Sequence, residues 1–74
     1  MSYVDDNVRL LTEFNTQDSR TVATMKEYVL PWAKERLIDL QELYELSSEP
    51  FITCEISKLR DGIRVCEERL VTAR

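Results

Sequence analysis

The side chains of this sequence that could do chemistry are carboxylates, two cysteines and a few arginines, and there is no histidine. Glu35, Asp39, Glu42, Glu45 and Glu49 recur at helical spacing, and we call them the acidic stripe. Carboxylates can act as acid and base where burial changes their proton affinity. The acidic stripe lies opposite the apolar positions of its helix, so we expect a solvated face. The alternative is a functional stripe that meets a basic protein or imitates the phosphates of a nucleic acid.

The two cysteines are placed too far apart to bridge each other on one helix. Cys54 and Cys66 are 12 positions apart, which corresponds to about 18 Å along a helix. Without histidine or a CxxC pair, the usual zinc sets cannot form within one chain. We expect two reduced thiols, with an intermolecular disulfide or redox switch as the alternative. With a single glycine, a phosphate-binding loop is also excluded, so we expect no enzyme activity, metal or cofactor.

The composition favours one small domain that binds neither nucleic acid nor membranes. The chain has 74 residues and a formal charge of −4. A negative balance disfavours nucleic acid, which is gripped by neutralising its phosphates, and it disfavours anionic lipid as well. The sequence shows no transmembrane-length apolar run and no signal-peptide pattern at its start. We therefore expect a cytoplasmic protein of a bacterial host or an infected cell.

Apolar periodicity predicts an all-α protein with three helices, at residues 5–14, 19–46 and 50–73. In the first, Val4, Val8, Leu11 and Phe14 share one face, while Asp5 and Asp6 suit the positive helix N-terminus. Thr16, Asp18 or Ser19 could cap the second helix. The third helix has the most regular stripe, which is formed by Ile52, Ile56, Leu59, Ile63, Cys66, Leu70 and Ala73.

The connection at residues 47–50 predicts a long antiparallel hairpin of the second and third helices. A short link between helices folds them back on each other. Ser47 is a candidate N-cap, and Leu46 and Phe51 then occupy the positions of a hydrophobic staple. The fold predicted is a short N-terminal helix plus this hairpin.

Pro31 interrupts the second helix, because proline lacks a backbone donor and crowds the preceding turn. The apolar run nevertheless continues across it at steps of three and four, from Val22, Met25, Val29 and Ala33 to Leu37, Leu40 and Tyr44. In addition, Leu30 is a poor N-cap for a new helix. We therefore predict one continuous helix with a kink at Pro31 rather than two separate helices.

The second helix has more apolar surface than one neighbour can cover. On a regular helix, Met25, Trp32 and Leu43 line one flank of its apolar face, and Leu30 lies on the other flank. A short first helix cannot cover the whole flank, so we expect an apolar groove centred on Trp32, which is typical of an interface. A homodimer forming a four-helix bundle is the favoured architecture, and a monomer that binds another protein is the alternative. Replacing Trp32 by alanine is expected to abolish whichever association occurs.

Two further features of the third helix bear on partners. Gly62, Cys66 and Ala73 fall along one side of it, which predicts either a tolerated surface glycine or close helix contact in the dimer. The basic residues Lys58, Arg60, Arg64 and Arg69 offset the acidic stripe, and Glu67 lies beside Arg60 and Arg64. These arginines are expected in salt bridges to the second helix or to a partner subunit, and a nucleic-acid contact is the alternative.

The functional hypothesis is a small non-enzymatic protein-binding module. It would act as a regulatory or inhibitory adaptor of bacterial or phage type and bind a larger protein. Its predicted contacts are the flank of Met25, Trp32 and Leu43 together with Glu35, Asp39, Glu42 and Glu45 of the acidic stripe. The alternatives are a nucleic-acid-binding dimer that uses Arg60 and Arg64, and a structural or chaperone subunit of a larger assembly.

Overall fold

The computed structural model describes residues 3–73, and their side chains from residue 7 onward. It contains three helices and, within residues 3–73, no strand. The first helix, α1, is Tyr3–Glu13. The predicted roles of the Val4, Asp5 and Asp6 side chains lie outside the described part of the chain. The prediction of an all-α fold with a short N-terminal helix and a long helical hairpin is confirmed.

The second helix, α2, spans residues 19–47 and consists of three segments: α-helical Ser19–Thr24, π-helical Met25–Val29 and α-helical Leu30–Ser47. Of the three candidate caps, Asp18 is the N-cap of α2. Its carboxylate accepts hydrogen bonds from the backbone N–H of Arg20 (3.2 Å) and the hydroxyl of Thr21 (2.8 Å). These bonds satisfy donors that a helix start otherwise leaves unpaired.

The π-helical segment lies immediately before Pro31 and explains how the helix passes the proline. Here the N–H of Leu30 donates to the carbonyl of Met25, five residues back. A turn closed in this way is wider than an α-helical turn and holds one more residue. It gives room beside Pro31, whose ring would otherwise crowd the carbonyl four positions earlier. The chain therefore remains helical, but with one residue inserted into its turn.

The predicted apolar run stays on the core side of α2 across Pro31, despite the extra residue. Met25, Ala33 and Leu40 are buried, and Val22, Val29 and Leu37 pack against the core. The prediction that Met25 lines an exposed flank with Trp32 and Leu43 is wrong, because the side chain of Met25 is only 2% exposed. The small exposed part of Met25 lines a cavity beside Leu10 and Val29.

A two-residue link joins α2 to the third helix, α3 (Pro50–Thr72). Ser48 adopts the left-handed conformation (φ 54°), and its N–H donates to the carbonyl of Tyr44 (2.7 Å), which closes the end of α2. The predicted N-cap at Ser47 is wrong, because Ser47 is the last residue of α2 and Glu49 precedes α3. The hydrophobic staple is absent too, since Leu46 and Phe51 are both exposed.

The core lies between the hairpin helices and under α1. The side chain of Lys34 contacts Glu67 across the hairpin (Nζ to Oε2, 3.4 Å), which fixes α2 and α3 as antiparallel neighbours. α1 packs mainly on α3, although α2 is the helix that follows it directly in the sequence. The buried apolar side chains are Leu11, Phe14, Met25, Leu30, Ala33, Leu40, Ile52, Leu59, Ile63 and Cys66. Within the described residues, no helix combines the length and apolar character that crossing a membrane requires.

Candidate functional site

An open apolar groove lies where α1 meets the middle of α2. Its volume is about 350 Å³, and Asn7, Leu10, Tyr28, Val29 and Trp32 line it. Trp32 is half-buried and packs against the core, while Leu10 and Tyr28 are exposed. The structure thus places Trp32 beside a groove, but the neighbours of Trp32 there come from α1 and from Tyr28 rather than from Met25.

The apolar surface continues to the hairpin end, which we define as residues 37–57. Five of the eight large apolar side chains that are exposed lie there: Ile38, Leu43, Tyr44, Leu46 and Phe51. Leu46 is 87% exposed, Phe51 60% and Leu43 46%. Scattered exposed apolar residues are ordinary, but a concentration of them is not. The sequence pointed to Leu43 alone, and it placed Leu46 and Phe51 in a staple.

α1 leaves the hairpin end uncovered because it is short and sits elsewhere. Its Val8 and Leu11 lie against Gly62, and Phe14, just beyond its last turn, lies against Arg69. α1 therefore runs parallel to α3 along the half of α3 that is farther from the connection. Its 11 residues correspond to about 16 Å, whereas the 23 residues of α3 correspond to about 34 Å. Every residue from Gln41 to Phe51 is exposed.

All five carboxylates of the acidic stripe are exposed. The charge distribution along the chain is uneven, because residues 37–57 contain five acidic residues, Asp39, Glu42, Glu45, Glu49 and Glu55, and no lysine or arginine. The rest of the chain holds nine acidic and ten basic residues and is nearly balanced. The hairpin end thus combines exposed apolar side chains with a local excess of negative charge.

The side of α3 that contains Gly62, Cys66 and Ala73 is an internal contact. A Cβ on Gly62 would lie 3.3 Å from Cδ1 of Leu11 and 3.4 Å from Cγ1 of Val8, so glycine allows α1 to approach closely. The expectation of a tolerated surface glycine is wrong, since Gly62 is buried. Cys66 is buried as well. Ala73 lies just after the end of α3, in extended conformation, and is partly exposed.

Arg69 performs a role that the sequence did not reveal. Its Nη2 donates a 2.6 Å hydrogen bond to the carbonyl of Phe14, and its Cζ lies 5.0 Å from the centre of the Phe14 ring. Phe14 follows the last turn of α1, where unpaired carbonyls accumulate partial negative charge. Arg69 therefore fastens the end of α1 to α3. Helical spacing had grouped it with the surface arginines, and only the tertiary contact distinguishes it.

The other basic residues of α3 are at the surface. Arg64 pairs with Glu68 on the same helix (Nη1 to Oε1, 3.3 Å), and Arg60 is exposed. Glu67, which had been expected beside these arginines, pairs with Lys34 of α2 instead. Exposed pairs of this kind contribute roughly 0–1 kcal/mol each. These pairs differ from the prediction, because Arg64 bonds within α3 and the pair across the hairpin joins a lysine of α2 to a glutamate of α3.

Both thiols are free: Cys54 is exposed and Cys66 is buried. Burial, and to a lesser degree the nearby Glu67, raises the pKa of the Cys66 thiol, and Arg69 and Lys34 act in the opposite direction. A thiol with a raised pKa is a poor nucleophile at neutral pH. Among the described side chains, those of residues 7–73, no group of three or more cysteines or carboxylates is arranged to hold a metal ion.

Comparison of this chain with known protein families, with curated proteins and with solved structures found no match.

Proposed function

We propose that this protein is a small non-enzymatic binding module that acts by docking on another, larger protein. The observation that supports the proposal is the exposed apolar surface of the hairpin end, where Leu43, Leu46 and Phe51 present side chains to solvent. Folding of a protein this small buries only a limited fraction of its surface. Most of its large apolar side chains are therefore needed in the core. Leaving large side chains exposed at one end therefore favours an interface over a chance distribution.

The proposed role is that of a regulatory or inhibitory adaptor in the cytoplasm. A rod formed by a two-helix hairpin offers a compact end that can enter a cleft or lie along a helix of a larger protein. The groove at Leu10, Tyr28 and Trp32 adds a second apolar contact on the same side as α1. A homodimer would use the same surfaces, and the mass in solution distinguishes the two arrangements.

The test compares two exposed apolar positions at opposite ends of the molecule. Leu46 and Val71 are 87% and 85% exposed, so replacing either by glutamine changes folding stability little. Wild-type protein, Leu46→Gln and Val71→Gln would each be used as bait in extracts of the source cells, with light scattering to measure mass. We expect one defined protein to bind the wild type and the Val71 variant but not the Leu46 variant. Retention of the same protein by all three would contradict the proposal.

A further inference from the structure

The exposed apolar residues of the hairpin end extend the groove in which α1 lies. Phe51 precedes Gly62 by 11 residues on α3, and Leu43 follows Trp32 by 11 residues on α2. Eleven residues make about three turns, so each pair shares a helix face to within about 20° and is separated by about 16 Å. Gly62 touches α1, and Trp32 lines the groove beside α1. Phe51 and Leu43 therefore continue both walls of that groove beyond the part that α1 fills.

The filled half of the groove shows which kind of segment fits. α1 is an amphipathic helix, and its Val8 and Leu11 enter the groove over Gly62. Near the connection the same two walls stand open, with Leu43 46% and Phe51 60% exposed. Continuity with the α1 contact thus favours a second amphipathic helix as the occupant.

The charge around this open half decides which amphipathic helix would be favoured. Residues 37–57 carry five carboxylates and no basic side chain. Asp39 lies four residues before Leu43 on α2, and Glu55 lies four residues after Phe51 on α3, so each carboxylate shares the face of one wall. Glu42, Glu45 and Glu49 are exposed at the same end of the molecule. This negative charge attracts cationic side chains and repels an acidic helix, a nucleic acid and an anionic membrane.

A second copy of this chain fits the open half poorly. Two hairpin ends brought together would oppose five carboxylates with five more. Like charges facing each other disfavour such a complex.

We propose that the open half of the groove binds a cationic amphipathic helix of another protein, with its apolar side chains on Leu43 and Phe51 and its basic side chains beside Asp39 and Glu55. This inference rests on the proposed function and names the chemistry of the partner. It explains why apolar side chains and carboxylates are both exposed at the hairpin end.

Synthetic helical peptides test this inference with the full-length protein. Three labelled peptides of equal length would be titrated: a leucine–lysine amphipathic helix, its leucine–glutamate counterpart, and a lysine–serine peptide of the same positive charge. Fluorescence anisotropy gives each Kd, and amide chemical shifts of isotope-labelled protein locate the site. We expect only the leucine–lysine peptide to bind tightly, with the largest shift changes in residues 42–51. Equal binding of either other peptide, or shift changes centred on the Trp32 groove, would overturn the inference.

Charge-matched variants of the protein separate local from overall electrostatics. Asp39→Asn and Glu55→Gln together remove the two charges beside the open walls. Glu27→Gln and Glu68→Gln together remove two charges elsewhere and leave the same net charge. Each exposed pair lost weakens binding by roughly two- to threefold, so we expect about a fivefold rise in Kd for the first variant and little change for the second. Similar effects in both would refute the inference.

The outcome also distinguishes this inference from the proposed function. If Leu46→Gln abolishes capture of a natural partner but the segment that contacts the hairpin end is acidic or not helical, the binding module stands and the inference fails. If light scattering shows a dimer that Leu46→Gln dissociates, the occupant is a second copy, and the inference fails as well. If no partner depends on the hairpin end, both fail.

Discussion

Replacing Arg69 by methionine tests the role of Arg69 in holding α1. The substitution keeps an apolar stem of similar length but removes the 2.6 Å hydrogen bond to the Phe14 carbonyl and the stacking at 5.0 Å. A hydrogen bond to a charged group is worth about 1.5–3 kcal/mol, and a partly desolvated cation–π contact about 1 kcal/mol. The Nε of Arg69 is buried and finds no acceptor among the described residues, which reduces the net gain.

The expected loss is therefore about 2 kcal/mol in the free energy of unfolding, or a Tm lower by about 10 °C for a domain of this size. Circular dichroism during thermal and urea unfolding measures it. Arg64→Met is the matched control, because its exposed pair with Glu68 contributes at most about 1 kcal/mol. Arg69→Lys keeps the charge without the planar stacking and should give an intermediate loss.

Amide hydrogen exchange then locates the effect. If Arg69 fastens α1, exchange in residues 7–13 should accelerate more in Arg69→Met than exchange in the middle of α3. Equal losses of stability in Arg69→Met and Arg64→Met would refute the reasoning. So would uniform acceleration along the whole chain, which would indicate general destabilisation rather than release of α1.

Four further predictions concern the core and the turns. Gly62→Val should lower the free energy of unfolding by about 2 kcal/mol in a thermal melt, because its added methyl groups meet Leu11. Gly62→Ala should be nearly neutral, since a gain in helix propensity of about 1 kcal/mol offsets the tighter contact. Leu59→Ala should cost about 2–5 kcal/mol by opening a cavity at a side chain that is 1% exposed, and a loss below about 1 kcal/mol in urea unfolding would contradict its core position. Ser48→Gly should raise stability by about 0.5–1 kcal/mol, because glycine adopts φ 54° without strain, and a lower Tm would contradict it. The raised pKa of Cys66 means that above pH 9.0 the thiol ionises more readily in the unfolded chain than in the folded one, so the free energy of unfolding of the wild type should fall there. Urea unfolding of Cys66→Ala should lack this part of the decrease.

The helices of the hairpin could be predicted from the sequence because their apolar residues repeat at helical spacing. The stripe of α3 from Ile52 to Leu70 is buried or partly buried throughout, as its regular steps predict. Its start at Pro50 follows from the preference of proline for the first helical turn. Periodicity works here because the packing partner of each stripe is simply the neighbouring helix.

The π-helical segment could not be predicted from the same pattern. The spacing from Met25 to Val29 fits an ordinary helix, and the extra residue arises from the steric demand of Pro31. The wider turn keeps Met25 in the core together with Val29 and Ala33. A proline inside an apolar run therefore need not interrupt the buried face, because the helix can widen beside it.

The tertiary contacts of α1 were equally hidden in the sequence. Neither the close approach at Gly62 nor the hydrogen bond of Arg69 to Phe14 joins residues that are close in the chain. A lone glycine in a helix indicates that some backbone or side chain comes near, but it does not show whether this belongs to the same chain. The exposed hairpin end followed from this placement, because α1 could cover only one half of the groove.

The uneven distribution of charge makes the molecule a strong electric dipole. Its long dimension is 41 Å, and the net negative charge resides near one end, at residues 37–57. In the field of a cationic protein such a rod turns before contact, so that productive collisions become a larger share of all encounters. The association rate with a basic partner should therefore fall as the Debye length shrinks from about 30 Å at 0.01 M salt to about 8 Å at 0.15 M.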